Sequence, residues 1–227
     1  MKVNFIVIAN GQIISPSRLR DSFHKFTGTE LNNTRYSVIC ADGGWLNAKK
    51  LNLDIDYLIG DLDSIPSELK NDISAKELTI KEFQNTKVIY DPDQSKTDTR
   101  LALELAHQLA AKQVFLLGAS GARLDHLLSN ILELKYMHDY MDIKLIDEFT
   151  EVSYINESST YLGEIGEVLS VIPLSDIKAL HYEGLLFNLN GENIKSGTSL
   201  ISNKFSAKQA RIIFESGELL VMRTYDG

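Results

Sequence analysis

The chain has 227 residues, 44% of them hydrophobic and 24% charged, an ordinary globular composition that excludes a disordered tail, a collagen-like rod and a disulfide knot. Lys and Arg number 23 against 31 Asp and Glu, a net charge of −8, which argues against a nucleic-acid backbone or an anionic membrane as partner. Cys40 is the one cysteine, Met1–Ala9 meets Asn10-Gly11 without a cleavage-site pattern, and no stretch reaches the ~18 apolar residues of a membrane span, so a cytoplasmic location is expected.

In the first two thirds, short β-branched runs alternate with helical patterns, which predicts an α/β fold: a parallel sheet with helices packed on it, in a three-layer Rossmann-like arrangement. Strands are expected at Val3–Ala9, Ser37–Ala41, Tyr57–Gly60, Lys87–Tyr90, Val114–Gly118 and Lys144–Asp147, most of them apolar on both faces. A helix should follow Thr97 as N-cap, with Leu101, Leu105 and Leu109 at four-residue steps. A second, Leu124 to about Met137, sets Leu124, Leu127, Leu128, Ile131 and Leu134 on one stripe. Pro66–Asn85 is charged throughout without a firm period, and no element is assigned to it. After about Glu148 helical periodicity gives way to alternating runs separated by glycines: Glu151–Ile155, Ser159–Leu162, Val168–Pro173, Ala179–Tyr182, Leu185–Leu189, Ala210–Phe214 and Leu219–Met222. Seven short strands at this spacing predict a small antiparallel β-sandwich or barrel, so two domains are expected, 1–148 and 149–227.

The acids matter by position. Asp42 follows S-V-I-C-A, Asp61 and Asp63 follow Y-L-I-G, Asp98 follows K-V-I-Y, and Asp125 follows V-F-L-L-G. All lie beyond carboxyl ends of expected strands, the edge where open parallel sheets bind ligands. Carboxylates about 4 Å apart repel by on the order of 4 kcal/mol at an effective dielectric of 20, so the cluster needs a cation or protons. Oxygen-only ligands favour a hard ion such as Mg²⁺, which commonly shares its positions with phosphates. Gly43-Gly44 and Gly118–Gly121 each open an expected helix and can receive anions, and Lys96 and Arg123 can offset phosphate charge. Singly, each feature has a structural reading: D-x-D as a surface turn, Asp98 and Asp125 at helix N-termini, His126 as a polar or capping residue, Cys40 and Trp45 as packing. Their convergence on one edge points instead to metal-dependent phosphoryl or nucleotidyl chemistry.

The segments A-D-G-G (Ala41–Gly44), I-G-D-L-D-S (Ile59–Ser64), D-Q-S-K-T-D (Asp93–Asp98), G-A-S-G-A-R-L-D-H (Gly118–His126) and S-N-K-F (Ser202–Phe205) occur in the order and approximate spacing of thiamine pyrophosphokinases, which the chain resembles over nearly its whole length. The resemblance implies transfer of a pyrophosphoryl group from ATP to the thiamine hydroxyl, with Mg²⁺, in a homodimer. It implies an α/β domain that binds ATP and metal and a β domain that binds thiamine. Asp61, Asp63 and Asp98 would hold the metal and join Asp125 as catalytic residues. Asp42, Gly43, Gly44, Gln94, Lys96, Thr97 and Arg123 would bind ATP, and Asp125, His126, Ser202 and Asn203 would bind thiamine. The final strands lack the tryptophan that stacks on thiamine in some members; Trp45 is the only one, and Leu219–Met222 is aliphatic. The loop that usually reads P-D before the I-G-D strand is Ile55-Asp56. Two other readings of the acids are a D-x-D glycosyltransferase acting on a nucleotide sugar and a non-catalytic nucleotide-sensing module.

Overall fold

A computed structural model describes residues 4–65, 85–121 and 123–225, so nearly all of the charged segment Pro66–Asn85 lies outside it. The chain divides into two compact units, Met1–Glu148 and Phe149–Gly227. In the first, six strands run parallel in the order β4-β3-β2-β1-β5-β6. They are β1 (Asn4–Ile8), β2 (Tyr36–Ala41), β3 (Tyr57–Gly60), β4 (Lys87–Tyr90), β5 (Gln113–Leu117) and β6 (Asp142–Ile146). All six match the expected strands to within two residues.

The sheet is apolar through its thickness because helices cover both faces. On one side Ile6 and Ile8 pack with Leu19 and Phe23 of α1 (Pro16–Thr27) and Trp45 and Ala48 of α2 (Gly44–Lys50). Phe23 sits edge-on to Tyr36 and Phe115, with ring centroids 5.7 and 5.1 Å away. The leucines of α3 (Asp98–Gln108) cover the other side, and Thr97 caps that helix by accepting the Arg100 N–H. Helix α1 is absent from the sequence expectations, although its ends are marked: Ser15 caps it before Pro16, and Gly28 leaves it at φ 68°. Glu148 holds its entrance by accepting the N–H groups of Ile14 and Ser15.

Helix α4 (Leu124–Tyr136) corrects the expected stripe. Leu124 and Leu128 are exposed, at 75% and 59%, and of the stripe only Leu134 is buried. The helix instead turns Asn130 and Glu133 inward, where polar partners on neighbouring segments receive them.

The second unit is a sandwich of two antiparallel sheets, β12-β9-β14-β7 and β11-β10-β13-β8. Its strands are β7 (Thr150–Ile155), β8 (Ser159–Leu162), β9 (Val168–Pro173), β10 (Ile177–Glu183), β11 (Asn190–Ile194), β12 (Leu200–Lys204), β13 (Gln209–Ile213) and β14 (Leu219–Thr224). Leu169, Val171, Leu180, Ile212 and Val221 fill the space between them. Two differences from the sequence reading share a cause. Leu185–Leu189, apolar and expected as a strand, lies outside the ladder strands, and only Leu185 makes a bridge, to Phe205. The polar segments Asn190–Ile194 and Leu200–Lys204 are the strands, because edge strands need no apolar alternation.

Phe23→Ala removes a fully buried ring from the three-ring cluster and should cost about 3–5 kcal/mol in urea denaturation, against a clearly smaller loss for Phe23→Leu.

Candidate active site

The strand order places the site. The connections from β1 and from β5 leave in opposite directions, so the carboxyl ends of these neighbours open a crevice. The segments after them are joined by backbone hydrogen bonds, Gly11 N–H to the Gly118 carbonyl at 2.6 Å and Gln12 N–H to the Ser120 carbonyl at 3.0 Å. Around this seam lies a cleft of about 600 Å³. Asp61, Gln94, Lys96, Thr97 and Asp98 contribute to it from the loops after β3 and β4, and Arg123, Asp125 and His126 from the start of α4.

The acids gather as the edge argument requires. Asp42, Asp61 and Asp63 each offer a carboxylate oxygen, and these atoms lie within 4.8 Å of one another. Asp42 is buried at the end of β2 with a left-handed backbone, φ 35°, fixed by its N–H bond to the Ile59 carbonyl at 2.8 Å. Its Oδ1 is buried without a hydrogen-bond partner. Burial raises its pKa, and the charges of Asp63 and Asp61 add to the rise. Asp98, half-buried at the first position of α3, is pushed up to about 6 by burial and then by Asp42, Asp61 and Asp63. Gly60 makes this approach possible: at φ 145°, a Cβ there would stand 2.8 Å from Asp98 Oδ1 and 3.0 Å from Asp42 Cβ. A buried orphan oxygen among crowded carboxylates is a donor set suited to a hard divalent cation.

The basic groups are held by acids. Lys96 Nζ lies 2.8 Å from Glu104 Oε2, and Gln94 donates to Asp61 Oδ2 at 2.9 Å. Arg123 pairs with Asp125 through two bonds of 2.6 and 3.2 Å, which draw the Asp125 pKa down to about 2. Asp125 is therefore a much weaker base than Asp98. His126 is exposed at the cleft.

Gly43 and Gly44, like Asp42 and Asp63, are not among the residues that line the cleft. Both glycines are buried; a Cβ on Gly43 would strike the Asn10 side chain at 2.3 Å, and one on Gly44 the Ile8 carbonyl at 2.0 Å. Their smallness lets α2 pack on the end of β1. Residues that sequence reasoning missed take the place beside the cleft: Asn10, Gln12, Ser129 and Asn130. Asn10-Gly11, immediately after an apolar strand, carried a signal for the first pair; nothing local marked the second.

In the β unit, Ser202 occupies β12 at φ 60°, exposed, where the register with β9 shifts. Asn203 is buried and clasps the main chain of Phe187: Oδ1 accepts its N–H at 2.9 Å and Nδ2 donates to its carbonyl at 2.7 Å. The Phe187 ring is left 67% exposed.

A parallel sheet with an acid-lined crevice at its switch point, followed by a β-sandwich, makes this an α/β protein whose crevice suits a metal-bound phosphate ligand. The catalytic-domain model of thiamin pyrophosphokinase matches residues 29–145, and the vitamin B1 binding domain model matches residues 155–219. The chain belongs to the thiamin pyrophosphokinase family. It is 29% identical over 172 residues to the thiamine pyrophosphokinase of Bacillus subtilis (strain 168), covering 74% of this chain and 77% of that one. The crystal structure of a thiamine pyrophosphokinase from Bacillus subtilis matches its fold with a TM-score of 0.80, at 24% identity over 99% of this chain and 100% of that one. The thiamin pyrophosphokinase of Candida albicans superposes with a TM-score of 0.77, at 18% identity over 98% and 89% of the two chains.

Asp98 gives a pH test. Its proton is bound more tightly in the folded chain than in the unfolded one, so it costs stability as pH rises from about 4 through 6 and above. Asp98→Asn should raise the melting temperature of metal-free protein at pH 7.5, and the gain should vanish at pH 4. Equal melting temperatures at pH 7.5 would mean the repulsion is absent.

Proposed function

We propose that the acid-lined cleft is where this thiamine pyrophosphokinase binds ATP and transfers its pyrophosphoryl group to thiamine, giving thiamine diphosphate and AMP. The observation that carries the placement is the convergence of Asp42, Asp61, Asp63 and Asp98 beside Lys96 and Arg123. No observation favours a glycosyltransferase, which leaves Asp98, Asp125 and the β-sandwich without a role.

Magnesium fits the donor set of Asp42, Asp61 and Asp63, with Asp98 adjoining, and when bound it neutralises phosphate oxygens as a Lewis acid. The protein's own groups do the rest. Lys96 leaves Glu104, and Arg123 turns from Asp125, to face the charge that spreads over the transferred phosphoryl oxygens. Thr97 stays as the cap of α3, keeping Asp98 at the cleft. The thiamine hydroxyl oxygen bonds to the β-phosphorus as the bond from that phosphorus to the bridging oxygen breaks, and AMP leaves with that oxygen. The hydroxyl proton passes to a cleft carboxylate, Asp98 or Asp125; a loose transition state asks little of that base.

We read Ser202 and Phe187 as the thiamine-facing groups of the β unit, with Asn203 acting on Phe187, whose exposed ring can stack on an aromatic substrate. The protein is further read as a cytoplasmic homodimer, a reading that the exposed Leu124, Leu128 and Leu132 of α4 support. Among the described residues, no helix is long and apolar enough to cross a membrane.

Incubation with ATP, thiamine and Mg²⁺ should release AMP in step with thiamine diphosphate; ADP would instead indicate transfer of a single phosphoryl group. Asp63→Asn should lower turnover at least ~100-fold while the melting temperature holds, and near-normal turnover would remove Asp63 from the metal site. Phe187→Ala should raise the KM for thiamine about tenfold with the KM for ATP unchanged.

A further inference from the structure

Behind the cleft, α3 and α4 are fastened by a nearly buried ion pair. Arg100 Nε lies 2.5 Å from Glu133 Oε2, with side chains 19% and 7% exposed. The guanidinium carbon stands 3.5 Å above the centre of the Tyr136 ring, one helical turn after Glu133. Neither Arg100 nor Glu133 lines the cleft. Each is nevertheless bonded within a helix whose first turn does. Arg100 lies two residues after Asp98, and its N–H is the one that Thr97 accepts in capping α3. Glu133 lies one turn after Asn130, which donates to the Ala119 carbonyl and lines the cleft beside Ser129. The pair is therefore a direct polar tie between the Lys96–Asp98 wall and the Arg123–Asn130 wall.

A nearly buried guanidinium with a carboxylate on one side and a ring beneath it has little freedom to shift. A planar guanidinium bonded through Nε and stacked on a ring fixes direction as well as distance, which a contact between leucines does not. Isolated buried ion pairs are poor sources of stability compared with apolar pairs, so the tie's effect lies in placing the helices.

We propose that Arg100 and Glu133 are positioning residues for ATP: their ion pair, steadied by Tyr136, sets the separation of the two walls of the nucleotide cleft. The proposal rests on the reading of that cleft as the ATP site. Neither residue touches substrate; they act through Asp98 and Thr97 on one side and Asn130 on the other.

The test measures KM for ATP, KM for thiamine, turnover and melting temperature, together with the affinity for a non-hydrolysable ATP analogue, in Glu133→Ala, Glu133→Gln, Arg100→Lys and Lys96→Ala. Misplacing one wall should raise the KM for ATP about tenfold or more in Glu133→Ala, leaving the KM for thiamine within about twofold. Glu133→Gln keeps an oxygen to accept the Arg100 N–H and should recover most of the loss; Arg100→Lys keeps the charge without the planar group and should not. An unchanged KM for ATP in Glu133→Ala beside a lowered melting temperature, as expected for Phe23→Leu, would overturn the proposal. If Glu133→Ala does not fold, an unchanged KM for ATP in Arg100→Lys overturns it equally. Lys96→Ala separates the two readings. If it leaves analogue affinity unchanged, the cleft is not the ATP site; if it weakens affinity while the Glu133 and Arg100 variants do not, only the positioning role fails.

Discussion

Repulsion among acids is the constraint around which the first unit is built. Asp42, Asp61, Asp63 and Asp98 are brought to one end of a parallel sheet although the charges of Asp61 and Asp63 make Asp42 and Asp98 harder to ionise. Ordinary folding energetics would scatter them, so their confinement has to be enforced. Parallel strands enforce it by ending together, and Gly60 does so by leaving room where any side chain would stand between Asp98 and Asp42. The strain at Asp42, a non-glycine residue with positive φ, belongs to the same arrangement. A cation bound there, as proposed, would relieve that repulsion and let a net-acidic protein accept an anionic substrate.

The rest of the cleft follows from how the sheet is wound. Because the connections of β1 and β5 part in opposite directions, a gap opens between them that no helix fills, and loops carrying polar residues border it. The cationic side chains Lys96 and Arg123 at that gap are held in pairs, with Glu104 and with Asp125. On the proposed reading of the cleft, arriving phosphates would exchange one anionic partner of Lys96 and Arg123 for another.

Much of this was legible from residues alone, and the limits were physical. The six parallel strands could be read because burial on both faces demands unbroken apolar runs, and the acids because Asp42 and Asp61 follow such runs directly and Asp98 and Asp125 one loop later. Leu185–Leu189 misled for the converse reason: apolar residues on an exposed loop carry the pattern of a strand, while the polar segments Asn190–Ile194 and Leu200–Lys204 pair at sheet edges on backbone bonds that leave no trace in hydropathy. Gly43-Gly44 illustrates a limit of another kind, because glycine's two uses, near an anion and under a crossing chain, are identical in sequence, and only the structure shows the close packing against Asn10 and Ile8. The inward turn of Asn130 and Glu133 on α4 was hidden because their partners, Ala119 and Arg100, lie on other segments of the chain.

The clasp of Asn203 on residue 187 bears on which side chains that position can carry. Both bonds reach the main chain of that residue and neither depends on its side chain. The frame is thus indifferent to which ring it presents, and phenylalanine, tyrosine or tryptophan can be exchanged there without redesigning the loop.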